Sequence, residues 1–180
     1  MARYTTLRSD LWIDPAVEDL SPTGKLMYVY LLTSPVGNAA GFYRIPPRQI
    51  AGDLHIPEKE ILPELCDQTK LWKYDAETRQ VLIPKYLKYN KAVSEKQVKG
   101  VNAQIESLQK CVLHRDFLFY LNKYCGEKAL QYINEEIKVY VKELCRKGRE
   151  TNTTDYILYN LLSSEDNTYQ TNTYQFNTIQ

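Results

Sequence analysis

Prolines set the hardest limits on this chain. A proline lacks an amide donor and clashes inside a helix, so its natural place is the first turn. Pro46 and Pro47 therefore open a helix in which Ile50, Ala51 and Leu54 share one face. His55, Ile56 and Pro57 break that period, and a second helix begins at Pro57. Its first turn carries Glu58 and Glu60, which suit the positive end of the helix dipole, and Ile61, Leu62 and Leu65 recur at helical spacing. Two helices joined so tightly must cross steeply. Trp72 to Tyr74 and Gln80 to Ile83 then favour strands, separated by a loop of hairpin length, Asp75 to Arg79. With a short strand after Gly41, the stretch from Gly41 to Tyr89 predicts a winged helix-turn-helix whose ribbon is the wing.

The flanks supply more helices. Tyr4 to Leu7 can form a strand, and Leu11, Trp12, Ile13 and Val17 are expected to pack under the domain. Ser21 caps and Pro22 opens a helix whose residues Leu26 to Leu32 are apolar nearly all round, which predicts a central, buried position. Ser94 and Gln97 make a capping-box signature ahead of Val98, Val101, Ile105 and Leu108, a narrow stripe at near-heptad spacing that calls for a partner. Phe117, Tyr120, Leu121 and Tyr124 mark another helix, ended near Gly126. A further one is expected from Glu127 to Lys147, with Leu130, Ile133, Ile137, Val141 and Leu144 on one face and Gly148 as its stop. Beyond it the chain turns to Asn, Thr, Gln and Tyr, so a loose tail with one docking segment, Tyr156 to Leu162, is expected. The fold class is mainly α with a small β-ribbon: a winged helix-turn-helix over 1–92, a helical region for association or partner contact over 93–148, and a polar tail over 149–180.

Composition narrows the function classes. The 43% hydrophobic and 25% charged residues are ordinary for a globular chain of 180 residues. No window reaches the roughly 20 apolar residues that span a bilayer, and no secretory leader is expected, which predicts a cytoplasmic protein without membrane contact. Cys66, Cys111, Cys125 and Cys145 are spaced irregularly and read as buried thiols. Cys111 and His114 have a ligand-like interval but no second close pair, so neither a metal nor a cofactor is expected. Ser21 to Lys25, SPTGK, lacks the earlier glycine and the following Ser or Thr of a phosphate-binding loop. No nucleophile, base and carboxylate arrangement is present, so the chain does not read as an enzyme.

A net charge of +1 gives no overall pull towards nucleic acid. From Lys70 to Lys110, however, nine cations stand against four carboxylates. The second helix of the central unit exposes Glu58, Lys59, Glu60, Glu64, Asp67 and Gln68, a poor surface for a polyanion. Contact with double- or single-stranded DNA is therefore expected at the wing and the segment after it, through Lys73, Arg79, Lys85, Lys88 and Lys91, with Lys59 and Lys70 as helper cations. Val98, Val101, Ile105 and Leu108 are the expected seam for self-association or for a protein partner.

The segments LWIDPAVEDLSPTGKLMYVYLLTSP, AGFYRIPPRQIAGDL and KLWKYDAETRQVLIPKYLKYN, with the later QVKG, resemble the N-terminal domain of the phage replisome organiser family over about Ala2 to Leu108. That resemblance implies a phage or prophage replication initiation protein: a winged helix that binds DNA at an origin, joined to a region that contacts helicase-loading machinery. The Tyr-x-x-x-Ile-x-x-x-Trp pattern of related primosome proteins has no counterpart, since Tyr156 is followed four residues on by Asn160 and no Trp follows Trp72. Two other readings of the same residues are a protein-binding adaptor that no longer holds DNA and a phage transcriptional regulator.

Overall fold

The computed structural model describes residues 7, 9–67, 70–90, 92, 94–148 and 152–163. Local capping chemistry sets the first elements. The Asp14 carboxylate accepts from the Ala16 amide at 3.0 Å and starts the short α1, Pro15–Glu18. Ser21 accepts from the Gly24 amide at 2.9 Å and starts α2, Pro22–Thr33. Met27, Tyr28 and Leu31 of α2 are buried, but Leu26 is exposed, so α2 has an outer face and is not enclosed all round.

The central unit follows the proline punctuation. After β1, Phe42–Arg44, comes α3, Pro47–Leu54, which His55 ends in the left-handed conformation at φ 56°. Next, α4, Glu58–Cys66, starts directly after Pro57. Ile61 and Leu65 of α4 are buried, whereas Leu62, expected on the same face, is exposed. Strands β2, Lys73–Asp75, and β3, Gln80–Leu82, form a hairpin, and β1 joins it in an antiparallel sheet of order β1-β3-β2.

Phe42 and Lys73 stand opposite Leu82 in the ladder, and Tyr43 and Tyr74 stand opposite Val81. Because side chains alternate along a strand, the sheet serves two cores. Tyr43, Tyr74 and Val81 join Met27, Ile50, Ile61, Leu65 and Trp72 of the α2–α4 layer. Phe42 and Leu82 join the second core, built by the helices after the sheet. These are α5, Tyr86–Tyr89, α6, Glu95–Glu106, α7, Leu113–Cys125, and α8, Glu135–Gly148. A last helix, α9, spans 153–163 and buries Leu158 and Leu162, which is the docking segment read from the sequence.

Several expectations need correcting. The stripe Val98, Val101 and Ile105 is buried in the second core, with Leu108 packed against it, so its partner is the rest of this chain and not another molecule. The capping box that positions it is present, with Gln97 and Ser94 bonded reciprocally. The second core contains Ala40, Phe42, Leu82 and Leu87 together with α6–α9, so packing continues across the boundary placed at residue 92. The helix expected from Glu127 to Lys147 is two elements, a 3-10 helix Glu127–Tyr132 and α8. Ile133 is extended, and the Asn134 side chain accepts from the Glu136 amide at 2.7 Å, which starts a new helix instead of continuing the old one. Trp12 and Ile13 do not pack under the domain, because both lie largely in solvent. Cys66 is exposed, unlike the buried Cys111 and Cys145. The strand expected from Tyr4 falls outside the described residues except at Leu7, which is not in a strand.

Candidate nucleic-acid interface

A hairpin covered on both faces offers a ligand only its tip. Asp75 holds that tip by accepting from the Thr78 amide at 2.9 Å, and Thr78 is buried while Ala76, Glu77 and Arg79 are exposed. Arg79 takes a left-handed conformation, φ 56°, which costs a side-chain-bearing residue about 1–2 kcal/mol and aims it out of the strand. Beside it a cleft of about 310 Å³ runs between the start of α3, the start of α4 and the hairpin. Arg48 and Arg79 line the cleft, together with Tyr74 and Leu62, and Glu58 is its one acidic side chain.

Arg44 stands at the same end of the sheet, opposite Gln80 and so on the face of Phe42 and Leu82, while the Arg79 carbonyl accepts from the neighbouring Ile45 amide at 2.8 Å. Burial pushes the Tyr74 phenol up to about 12, and the charges of Arg79 and Arg44 pull against that shift. The phenol stays protonated and donates to the Ile45 carbonyl at 3.3 Å. All three arginines are exposed, and none makes an ion pair among the described residues. No side chain caps the start of α3, where Arg48 sits, so the dipole of that helix adds to the positive potential. Planar guanidinium groups in such a setting suit phosphate oxygens, which accept paired N–H bonds.

The lysines read from the sequence divide differently. Lys73 points to the other side of the sheet and holds Asp116 of α7 at 2.7 Å, so it fastens α7 to the hairpin and is not a free contact. The alternation along β2 dictates this, since Lys73 shares the face of Phe42 and Leu82. Lys85 lies 3.6 Å from Asp14, and Lys88 is exposed over the Tyr89 ring at 5.2 Å. Both follow the far end of β3, away from Arg79, so the sheet separates them from the arginines. Lys59 is exposed on α4 beside Glu58, and Lys70 is exposed after that helix. Lys91 lies outside the described residues.

Arg44 and Arg48 escape a reading of the sequence by charge because they lie outside its run of basic residues. Their spacing around Ile45, Pro46 and Pro47 is a usable signal, since a strand end followed directly by a helix start brings both ends of that short segment to one edge. The acidic surface of α4 is partly structural. Glu64 accepts a hydrogen bond from the Ser21 hydroxyl and so ties α4 to the cap of α2. Among the described residues no group of three or more His, Cys, Asp or Glu side chains could hold a metal ion, and no helix is long and apolar enough to cross a membrane. No protein family, curated protein or solved structure matches this chain.

Proposed function

We propose that this chain is a non-catalytic DNA-binding protein of winged helix-turn-helix type, with α3 and α4 as the helix pair and the β2–β3 hairpin as a short wing. The observation that carries this reading is the pair Arg48 and Arg79, exposed and without carboxylate partners among the described residues, lining a cleft bordered by α3, α4 and the hairpin, with Arg44 exposed at the same end of the sheet. Phosphate contact supplies the affinity. Glu58 and Glu60 keep α4 from lying deep in a groove, so binding is governed by backbone charge more than by base edges. The fuller reading, initiation of phage or prophage replication with a helicase loader as partner, rests on the resemblance to replisome organisers.

The test is fluorescence anisotropy with labelled duplex and single-stranded DNA at two salt concentrations. Replacing Arg44, Arg48 and Arg79 together by Ala should weaken duplex binding and reduce the slope of log affinity against log salt by about 0.9 for each phosphate no longer neutralised. Lys73→Met serves as the contrast and should leave the DNA isotherm unchanged, because that lysine is already committed to Asp116. A triple variant that binds like the parent chain would sink the assignment.

A further inference from the structure

The segment from Ser9 to Asp19 carries four carboxylates, Asp10, Asp14, Glu18 and Asp19, and no Lys or Arg. Within it Ser9–Ile13 is a 3-10 turn that contributes no buried residue. Trp12 is 58% and Ile13 72% exposed, side by side. Two large apolar side chains left in water next to each other in the chain mark a contact surface.

Behind the turn lies a groove of about 380 Å³. Leu11, Val17, Tyr28, Leu32, Ile83 and Tyr86 form its apolar walls, and Leu7, Ile13 and Tyr89, all substantially exposed, frame its opening. The rim is polar and uneven. Asp10 and Asp14 edge the groove on one side, and Lys85 on the opposite side balances Asp14 at 3.6 Å. Glu18 and Asp19 follow in the same acidic segment, both exposed.

We infer that this groove docks an amphipathic helix of a partner protein, its apolar face filling the groove and a Lys- or Arg-rich edge lying along the acidic segment. Helix-in-groove recognition uses such a pairing of apolar anchors with flanking charge. Charge argues against residues 164–180 as the occupant, because they contain Glu165 and Asp166 and no cation. Residues 1–8 carry Arg3 and Arg8, so lysine-peptide binding that tightens on removal of residues 1–6 would give the groove to that segment and overturn the inference. Ile83 and Tyr86 lie past one end of β3 and Arg79 precedes the other, so DNA and the partner can be held together.

The experiment uses the full chain and two fluorescein-labelled synthetic amphipathic helices, one of leucine and lysine, the other of leucine and glutamate. The lysine peptide should bind at least about tenfold more tightly than its glutamate counterpart. It should also shift Trp12 emission to the blue, since the second tryptophan, Trp72, is already fully buried. Ile13→Asp should weaken lysine-peptide binding by about tenfold or more, and Asp10→Asn with Asp14→Asn should weaken it by a smaller factor, Asn keeping the α1 cap. Both variants should retain the parent thermal transition and DNA isotherm. Equal binding of the two peptides, or binding indifferent to Ile13→Asp, overturns the inference. So does a sedimenting dimer that Ile13→Asp dissociates, because a second copy would then own the groove.

Discussion

His114 illustrates how little a residue's type says before its surroundings are known. Its interval from Cys111 looks like a pair of ligands, yet the Cys111 amide donates to His114 Nδ1 at 3.3 Å and closes a local turn. The ring is fully buried, with the Phe42 ring edge-on at 4.9 Å and Tyr140 at 6.3 Å. Burial holds the imidazole below its ordinary range, and Lys110 adds to that shift. The unfolded chain therefore takes up this proton first as pH falls. Stability contributed by His114 is level above about pH 6.5 and declines below it, by at most about 1.4 kcal/mol per pH unit until the lowered folded value is passed. Urea unfolding at pH 7, 6 and 5 should show the parent chain losing ground to His114→Gln, whose side chain does not titrate. Parallel pH profiles would assign the dependence elsewhere. The lysines teach the same lesson about charge. Counting cations locates a basic stretch, but Lys73 and Lys85 face carboxylates, while Arg44, Arg48 and Arg79, among the described residues, make no ion pair.

At the scale of elements, spacing identifies helices and faces well and their environments less well. The caps at Ser21 and Ser94, the stop at Gly126 and the hairpin from Lys73 to Leu82 are legible because each depends on chemistry within a few residues. What covers a face depends on residues far away in the chain. The α6 stripe shows the difference: its period is plain in the sequence, and it is buried in the second core of this chain, with the 3-10 helix Glu127–Tyr132 against α6. Ile105 is fully buried there, so Ile105→Ala should cost about 2–5 kcal/mol in urea unfolding while leaving the sedimentation mass unchanged. A fall in mass with little change in stability would restore the stripe as an association seam. The break at Ile133 is not legible, because the apolar period continues through it and only the cap formed by Asn134 reveals the new start.

For the whole molecule, the three-stranded sheet is the shared wall between an N-terminal and a C-terminal layer. The Lys73–Asp116 pair crosses it at 2.7 Å, Gln80 donates to the Gln109 carbonyl at 2.7 Å, and the Ala39 amide donates to Gln104 at 3.0 Å. A fragment ending at residue 92 would carry the complete sheet yet leave Phe42, Leu82 and Leu87 uncovered. Differential scanning calorimetry should accordingly find no sharp transition for the fragment and a sharp one for the full chain. A cooperative fragment would show that the first layer suffices alone. The apolar residues of the α6 stripe are buried in the second core, whereas Trp12 and Ile13 beside the groove are exposed.

The two-sided sheet also imposes an order of events on the ribosome. All three strands leave the exit tunnel before α7, and the first layer can close over Tyr43, Tyr74 and Val81 at once. Phe42 and Leu82 must wait for Phe117 and Leu121, which emerge later. For that interval the nascent chain presents a flat, apolar, strand-edged surface, the kind that holding chaperones bind and that neighbouring chains can capture. Slow translation between β3 and α7 would lengthen the exposure, so codon choice in that stretch bears on the yield of folded protein.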